Sequence, residues 1–208
     1  MKKNTLKLTV ILFALAGIFA CQKENVDDIH FKEITIGSEN PSINYSTNGI
    51  KFKFCLLNEE SKPSTIFNEG ENFSFYFSTT NNRNETLYFD YDFIYSAEPV
   101  FCRVYNSDGK DFGKSYQCKG ATFISLEVYK LENNQKCVFQ VPWIDNRSDW
   151  GWYSVALKNT QNDYLPQGKY YTEFEYNFIF RRTVGNDDNF LKIDKVKFKI
   201  NFEIKDNK

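Results

Sequence analysis

Apolar and polar residues alternate with a period of two along most of the chain from Ile50 onward. Successive side chains of a β-strand point to opposite faces, so this alternation predicts strands with one face on a core and one in water. Aromatic residues make up 18% of the chain, which favours the same structure because aromatic side chains suit a pleated, half-buried surface. The predicted strands lie at residues 50–56, 73–77, 87–93, 100–104, 124–128, 137–143, 170–180 and 196–204.

Turn-forming residues separate these runs. The asparagine-rich stretch 81–84 indicates a hairpin, and Asn-Ser-Asp-Gly at 106–109 indicates another turn. Residues 144–166 form the longest irregular stretch of the predicted domain, within which 152–157 fit either a helix or a strand. Seven or eight strands with almost no helix predict an all-β domain over residues 49–208, built as a sandwich of two packed antiparallel sheets.

Lysines occupy the outward positions of the first and last predicted strands. Lysine on an edge strand discourages pairing with another sheet, and we adopt this interpretation. A stripe that binds acidic ligands is the alternative. The lysines concerned are Lys51, Lys53, Lys195, Lys197 and Lys199.

The first twenty residues break the alternation. Three lysines within the first seven residues precede an apolar run at 8–20, the pattern of a secretory signal peptide too short to span a bilayer stably. The ending Ile-Phe-Ala-Cys at 18–21 resembles the lipobox of bacterial lipoproteins. In that family the chain is cut before the cysteine, which is then acylated. The resemblance implies a signal peptide at 1–20, a palmitate-type lipid on Cys21, and the membrane as a partner through that anchor.

A polar stretch follows Cys21. We interpret residues 21–48 as a lipidated tether with at most one short strand, able to reach ~90 Å when fully extended. The cluster Gln-Lys-Glu-Asn at 22–25 resembles the surface-export signal of lipoproteins in one Gram-negative phylum. This resemblance implies the outer leaflet of the outer membrane, exposed at the cell surface. A merely polar tether is the alternative.

Charge excludes some classes of partner. Cleavage before Cys21 removes three lysines and no acid, which changes the formal net charge from −1 to −4. Such a chain has no electrostatic attraction for nucleic acid or for an anionic membrane as a whole. Oligomeric state has no signature in the sequence.

Four cysteines follow the lipobox, an even number in an oxidising compartment, and four cysteines allow three pairings. We favour Cys102–Cys118, because the turn at 106–109 folds their strands together, and this leaves Cys55–Cys137. Reduced, packed thiols are the alternative. No C-x-x-C pair occurs, so neither a zinc knuckle nor a thioredoxin-type redox site is predicted.

Three stretches resemble parts of an immunoglobulin-like domain. Residues 67–75 resemble the turn before its second strand, 104–110 its mid-sheet hairpin, and Leu-Pro-Gln-Gly-Lys-Tyr at 165–170 the L-x-x-G-x-Y start of a late strand. Their order is similar to that of the bacterial intracellular proteinase inhibitor domain, which implies an immunoglobulin-like sandwich. The insertion at 144–164 and the signal peptide depart from that pattern, so inhibitory activity is not carried over.

Catalytic motifs are missing from the sequence. The single histidine, His30, lies in the predicted tether, so a Ser-His-Asp or Cys-His arrangement has no base within the domain. No H-E-x-x-H motif or phosphate-binding glycine loop occurs. Asp90 and Asp92 share one strand face, which we interpret as outward surface charge. We therefore predict a non-enzyme without a cofactor.

Two acidic loops, at 106–111 and 187–194, carry oxygen-bearing side chains. Calcium takes six to eight oxygen ligands, and neither loop alone supplies them. We interpret both loops as turns and predict no metal site.

Residues 143–153 contain all three tryptophans of the chain and are the best candidate for a binding surface. Aromatic faces flanked by planar hydrogen-bonding groups suit sugar rings, and tryptophan and arginine dominate protein–protein hot spots. We assign Trp143 to the core. The ligand-binding candidates are Asp145, Asn146, Arg147, Asp149, Trp150, Trp152 and Tyr153.

Two functions are compatible with these features. The first is a surface-exposed binding or adhesion module that uses residues 143–153 on a glycan or a protein. The alternative is a structural or inhibitor-like envelope lipoprotein that docks a protein partner by an edge strand or by end loops.

Overall fold

All regular structure in the described part of the chain is β. The computed structural model describes residues 30–90, 101–118, 128–145, 157–184 and 189–206, and these contain strands and turns but no helix. Consequently, the described ranges hold no apolar helix of the length that crosses a membrane. The prediction of an all-β fold is confirmed.

Fourteen strands occur in these ranges, where seven or eight were predicted. The additional strands are mostly three or four residues long, too short to display an alternation in the sequence. The strands are β1 (His30–Ile34), β2 (Ile43–Thr47), β3 (Ile50–Leu57), β4 (Ile66–Asn68), β5 (Ser74–Asn81), β6 (Leu87–Asp90), β7 (Arg103–Asn106), β8 (Asp111–Lys114), β9 (Tyr116–Cys118), β10 (Tyr129–Leu131), β11 (Lys136–Pro142), β12 (Leu157–Asn159), β13 (Gly168–Arg181) and β14 (Phe190–Lys205).

Two sheets form the sandwich. The large sheet has the order β1-β14-β13-β6-β10, with β4 also paired to β14 and the β7–β8 hairpin paired to β13. The small sheet has the order β11-β5-β3-β2, and β9 and β12 form a separate pair. All pairings are antiparallel except those of β1 and β4 with β14. The edge strands of the two sheets lie next to each other, β1 with β2 and β10 with β11.

Phenylalanine rings from the two sheets fill the space between them. Phe52 lies 4.6 Å from Phe178, and Phe77 stacks on the same Phe178 ring at 5.7 Å. Phe54 meets Phe174 edge to face at 5.2 Å. Such pairs contribute about 0.5–1.5 kcal/mol each beyond the burial of their area. The inward positions predicted for β14 are all buried, as the alternation requires.

Tyr170 forms a corner at the start of β13. Its hydroxyl donates to the carbonyl of Pro166 at 2.7 Å, and its ring stacks on Phe202 at 5.6 Å. Burial raises the pKa of Tyr170, which keeps the hydroxyl protonated as a donor. A tyrosine that bonds back to the chain a few residues upstream is a feature of immunoglobulin-like sandwiches. The L-x-x-G-x-Y stretch therefore lies at the start of a late strand, β13.

Residues 30–48 belong to the sandwich, and the predicted tether therefore ends before His30. Strand β1 pairs with β14 from His30↔Val196 to Ile34↔Ile200, and β2 pairs with β3. Only Ile34 of β1 is buried, so this strand is held by its backbone pairing and not by an apolar face. A strand with a single buried side chain shows no alternation of apolar and polar residues in the sequence.

The edge-strand interpretation of the lysines is wrong. Strands β3 and β14 are both flanked by partners on either side. On the outer face of the large sheet, Lys197 pairs with Glu173 at 3.1 Å and Lys199 pairs with Glu33 at 3.4 Å. Alternation specifies which face a side chain occupies, but it does not specify where the strand lies in its sheet.

The predicted strand at 100–104 begins later than expected, at Arg103. Cys102 has a left-handed backbone with φ of 64°, which breaks the alternation, and both Phe101 and Cys102 are buried. Most of the strand predicted at 124–128 lies outside the described residues, and β10 begins at Tyr129.

Candidate functional site

Trp143 lies at one end of the sandwich, directly after β11, and is 2% exposed. Its ring stacks on Phe73 at 5.9 Å, and its indole Nε1 donates to the carbonyl of Asp163 at 3.1 Å. The backbone N–H of Trp143 donates to the carbonyl of Phe73 at 2.8 Å. The assignment of Trp143 to the core is confirmed.

Asn72 fixes the chain where it leaves Trp143. Its side-chain Nδ2 donates to the carbonyl of Ile144 at 2.8 Å, and its Oδ1 accepts the N–H of Ile144 at 3.2 Å. The same Oδ1 accepts the N–H of Phe73 at 3.0 Å. The next residue, Asp145, is half-buried and is the only ligand-binding candidate within the described residues.

Asn159 fixes the chain where it returns. Its Nδ2 donates to the carbonyl of Ser115 at 2.9 Å and lies 3.4 Å from the carbonyl of Trp143. Strand β12, which ends at Asn159, pairs with β9. The segment between Ile144 and Asn159 therefore begins and ends beside the buried Trp143. The other candidates lie outside the described residues: Asn146, Arg147, Asp149, Trp150, Trp152 and Tyr153.

Trp143 and His30 lie at opposite ends of the sandwich. In the small sheet, Leu57, Ser74 and Pro142 lie side by side on three neighbouring strands, next to Trp143. The opposite end of β3 is the turn that joins it to Thr47 of β2. Thr47 and His30 line one cavity. We call these the Trp143 end, which includes Phe67, Phe73, Trp143 and Phe202, and the His30 end, which includes His30, Thr47, Asn48, Asn177 and Lys195.

The two ends differ in charge. Glutamates dominate the turns of the Trp143 end: Glu59, Glu60, Glu69 and Glu71. At the His30 end, Glu85 binds two arginines, Arg83 and, at 3.1 Å, Arg182. The hydrogen bond from Arg83 is the main cause that lowers the pKa of Glu85, and Arg182 lowers it further.

The buried cysteines Cys55, Cys102 and Cys137 are free thiols, which corrects the predicted pairings. Cys55 is opposite Tyr76 of β5, whereas Cys137 is opposite Thr79 on the other side of that strand. The two cysteines therefore lie at least two strand spacings apart, more than about 10 Å, and on opposite faces of the small sheet. A disulfide needs Cα atoms within about 7 Å.

Burial also makes these thiols poor nucleophiles. It raises the pKa of Cys137 to about 12 and raises the pKa of Cys102 well above its usual range. Cys102 does not form the predicted bond to Cys118, whose side chain lies outside the described residues.

The acidic loop at 106–111 is a turn. Asn106 Oδ1 accepts the N–H of Asp108 at 3.1 Å and that of Lys110 at 2.8 Å, and Asp111 pairs with Arg103. In the second loop, Asp194 pairs with Lys192 at 2.6 Å, and residues 185–188 lie outside the described part. Within the described ranges, no three His, Cys, Asp or Glu side chains group closely enough to hold a metal.

Asp90 is not the outward, solvated acid that the alternation predicted. It is 8% exposed and accepts from Arg181 Nη2 at 3.3 Å. A buried carboxylate next to an arginine is satisfied as an ion pair. Asp92, its predicted neighbour, lies outside the described residues.

One feature was missed at the sequence level: a cavity of about 600 Å³ at the His30 end. Its lining comes from four separate parts of the chain, so no local motif marks it. The Asn48-Gly49 dipeptide, a strong hairpin signal, was the one available clue.

Comparison of the sequence with protein-family models and with curated proteins gives no match.

Proposed function

We propose that this chain is a lipid-anchored protein of the cell envelope, held through Cys21 at the outer membrane and exposed at the cell surface. It acts as a non-catalytic binding module that presents residues 143–153 to a glycan or a protein. The observation that carries this proposal is the placement of His30 and Trp143 at opposite ends of the sandwich.

The short distance between Cys21 and the sandwich supports an anchoring role. Only eight residues separate Cys21 from His30, where β1 begins. Eight residues span at most about 28 Å, compared with the ~90 Å of a tether that reaches residue 48. A lipid on Cys21 would therefore hold the His30 end close to the bilayer.

The opposite end is then directed away from the membrane. Phe202, which packs on Phe73 at the Trp143 end, follows Val196 by six residues along β14. Because Val196 is paired with His30, the strand carries the Trp143 end about 20 Å further from the anchor. Loops on a rigid sandwich are frequent binding sites.

The composition of residues 143–153 favours a glycan as the ligand. Trp150 and Trp152 supply flat apolar faces, and Asp145, Asn146 and Arg147 supply hydrogen-bonding groups between the tryptophans. Because Trp143 is committed to the core, Trp150 and Trp152 carry the stacking role in this proposal.

Docking through an edge strand receives less support. The two strands that end the order of the large sheet lie beside edges of the small sheet, β1 beside β2 and β10 beside β11, whereas β4 and β8 each have a partner on one side only. At β1 and β10 an incoming strand therefore meets a neighbouring sheet edge that limits its access.

Metabolic labelling with palmitate tests the anchor. The parent protein should incorporate label and sediment with outer membranes, whereas Cys21→Ser should do neither. Protease treatment of intact cells should release the domain from the parent. A domain that survives in intact cells but not in lysed cells contradicts surface exposure.

Glycan arrays and tryptophan fluorescence test the binding surface. The double variant Trp150→Ala/Trp152→Ala should lose binding, while Tyr164→Ala, a change at an exposed aromatic of the described surface, should retain it. The buried Trp143 provides a constant emission against which a ligand-dependent change is read. Unchanged binding by the double variant would contradict the proposed site.

A further inference from the structure

The cavity at the His30 end is polar and open to solvent. It has a volume of about 600 Å³, enough for a small ligand. Its lining residues are His30, Thr47, Asn48, Asn177, Lys192, Ile193, Asp194 and Lys195.

A β-bulge shapes one wall of this cavity. The register between β13 and β14 shifts so that Asn177 opposes both Asp194 and Lys195. Lys195 adopts a left-handed backbone with φ of 51°, and its N–H donates to Asn177 Oδ1 at 2.8 Å. A non-glycine residue in this conformation costs about 1–2 kcal/mol. Bulges redirect side chains, and this one places a lysine on the cavity wall.

The β2–β3 turn shapes the opposite wall. Asn48 and Gly49 both have left-handed backbones, with φ of 50° and 76°. Arg83 Nη1 donates to the carbonyl of Asn48 at 2.9 Å. A Cβ on Gly49 would lie 2.6 Å from Arg83 Cγ, so the arginine packs directly on the turn. Both walls are therefore held in place by side-chain contacts.

Cations and neutral donors outnumber acids in the lining. Lys192 and Lys195 carry positive charge, and Asp194 is the one carboxylate among the lining residues. The Lys192–Asp194 pair is 2.6 Å long, with side chains 45% and 52% exposed. An exposed ion pair of this kind contributes at most about 1 kcal/mol, so an incoming anion can compete for the ammonium group.

We propose that this cavity binds a phosphate group. Lys192 and Lys195 would supply charge-assisted hydrogen bonds, the strongest kind available to a phosphate oxygen, and the amides of Asn48 and Asn177 would supply neutral donors. This site is distinct from residues 143–153 and requires no ligand there.

Two sources of phosphate fit the location of the cavity. If Cys21 is acylated as proposed, the His30 end faces the bilayer and the phosphate belongs to a lipid headgroup. Free phosphate in solution is the other source, and it requires no anchor. A negative result for phosphate binding would therefore not contradict the proposed anchor. A negative result for acylation would not contradict phosphate binding in the cavity.

The test uses the full chain with Cys21→Ser, which cannot be acylated, in an uncharged detergent. Inorganic phosphate is titrated at constant ionic strength while backbone amide signals are followed by NMR. Saturable shifts at Thr47, Asn48, Asn177 and Lys195, with a Kd on the order of 1 mM, support the site. Absence of saturable shifts at these amides overturns it.

Lys192→Gln/Lys195→Asn is the test variant, because asparagine suits a left-handed backbone and removes the charge without new strain. It should weaken phosphate binding at least about tenfold. Lys62→Gln/Lys205→Gln removes two exposed lysines at the Trp143 end and should leave binding unchanged. Equal weakening by both variants would indicate a general charge effect and overturn the proposal.

A second titrant, short-chain phosphatidylglycerol below its micelle concentration, separates the two sources. Stronger binding of this lipid than of inorganic phosphate, lost in the test variant, assigns the cavity to a headgroup. Binding of inorganic phosphate alone assigns it to a free anion.

Discussion

The same strands form both ends of the sandwich, yet the two ends are held together by different forces. At the Trp143 end, Phe67, Phe73, Trp143 and Phe202 form a continuous aromatic cluster. The His30 end instead has arginine–glutamate pairs and an open polar cavity whose lining includes two residues with left-handed backbones, Asn48 and Lys195. Salt does not screen the burial of apolar area, whereas charge pairs weaken with salt and with acid. The Trp143 end should therefore be the more robust of the two.

The largest effect is expected from Trp143→Ala. This change removes the indole from a site that is 2% exposed and opens a cavity against Phe73. Truncation of a buried tryptophan costs about 3–5 kcal/mol of unfolding free energy. Chemical denaturation measures this loss, and Tyr129→Ala at an exposed position is the control. A loss below about 1 kcal/mol would mean that the cluster does not hold the Trp143 end.

Asn72→Ala should produce the next largest effect. The change deletes the side-chain bonds to the backbone of Ile144 and Phe73 and leaves partly buried groups without partners. We expect a loss of about 1–3 kcal/mol by denaturation. The affinity for a ligand proposed to bind residues 143–153 should fall as well, because the Asn72 side chain no longer holds the backbone of Ile144. Equal stability of Asn72→Ala and the parent would show that the Asn72 side chain does not hold this backbone in place.

Tyr170→Phe should have a smaller effect, about 1 kcal/mol, because it removes only the hydrogen bond to Pro166 and leaves the ring on Phe202. Thermal unfolding provides the measurement. Tyr164→Phe, on an exposed tyrosine, is the matched control and should leave Tm unchanged.

The smallest effect concerns acid and the His30 end. Arg83 and Arg182 lower the pKa of Glu85 below its ordinary value of 4.5. A lowered pKa in the folded state stabilises the fold above that value, and this contribution is lost as the pH falls below 4.5. Glu85→Gln should therefore flatten the decline of stability between pH 4.5 and more acidic values. If stability declines with falling pH as steeply in Glu85→Gln as in the parent, Glu85 is not the cause of the decline.

High salt is the control for that measurement. Screening of the arginine–glutamate pairs at 1 M salt, where the Debye length is about 3 Å, should shrink the difference between Glu85→Gln and the parent. Trp143→Ala should show the same loss of stability at low and high salt, which separates the two ends by mechanism.

The strands that were predictable from the sequence are those with a buried face. Strands β13 and β14 display their alternation over many residues, and their inward positions are buried as predicted except Tyr176, which is half-buried. Strand β1 was missed because backbone pairing and polar contacts with β14, such as Glu33 with Lys199, hold it, and neither leaves an alternation in the sequence. The predicted pairing Cys55–Cys137 is wrong for a related reason. The spacing of cysteines in the sequence shows neither the order of the strands in a sheet nor the face on which each thiol lies.

The candidate site was predictable only in part. The core role of Trp143 followed from its place at the end of the inward Phe139–Val141 series. The support that Asn72 and Asn159 give to its neighbours was not predictable, because these asparagines are remote from Ile144 and Ser115 in sequence. The cavity at the His30 end likewise depends on a bulge that alternation alone does not reveal.

The parallel pairing of β1 with β14 has a mechanical consequence. Both strands run from the His30 end toward the Trp143 end, so traction between His30 and Lys205 acts along the strand axes. The hydrogen bonds joining the strands lie across that direction and share the load, instead of opening one after another as in a peeled ribbon. A domain pulled at His30 and at Lys205 would therefore resist such traction through shear.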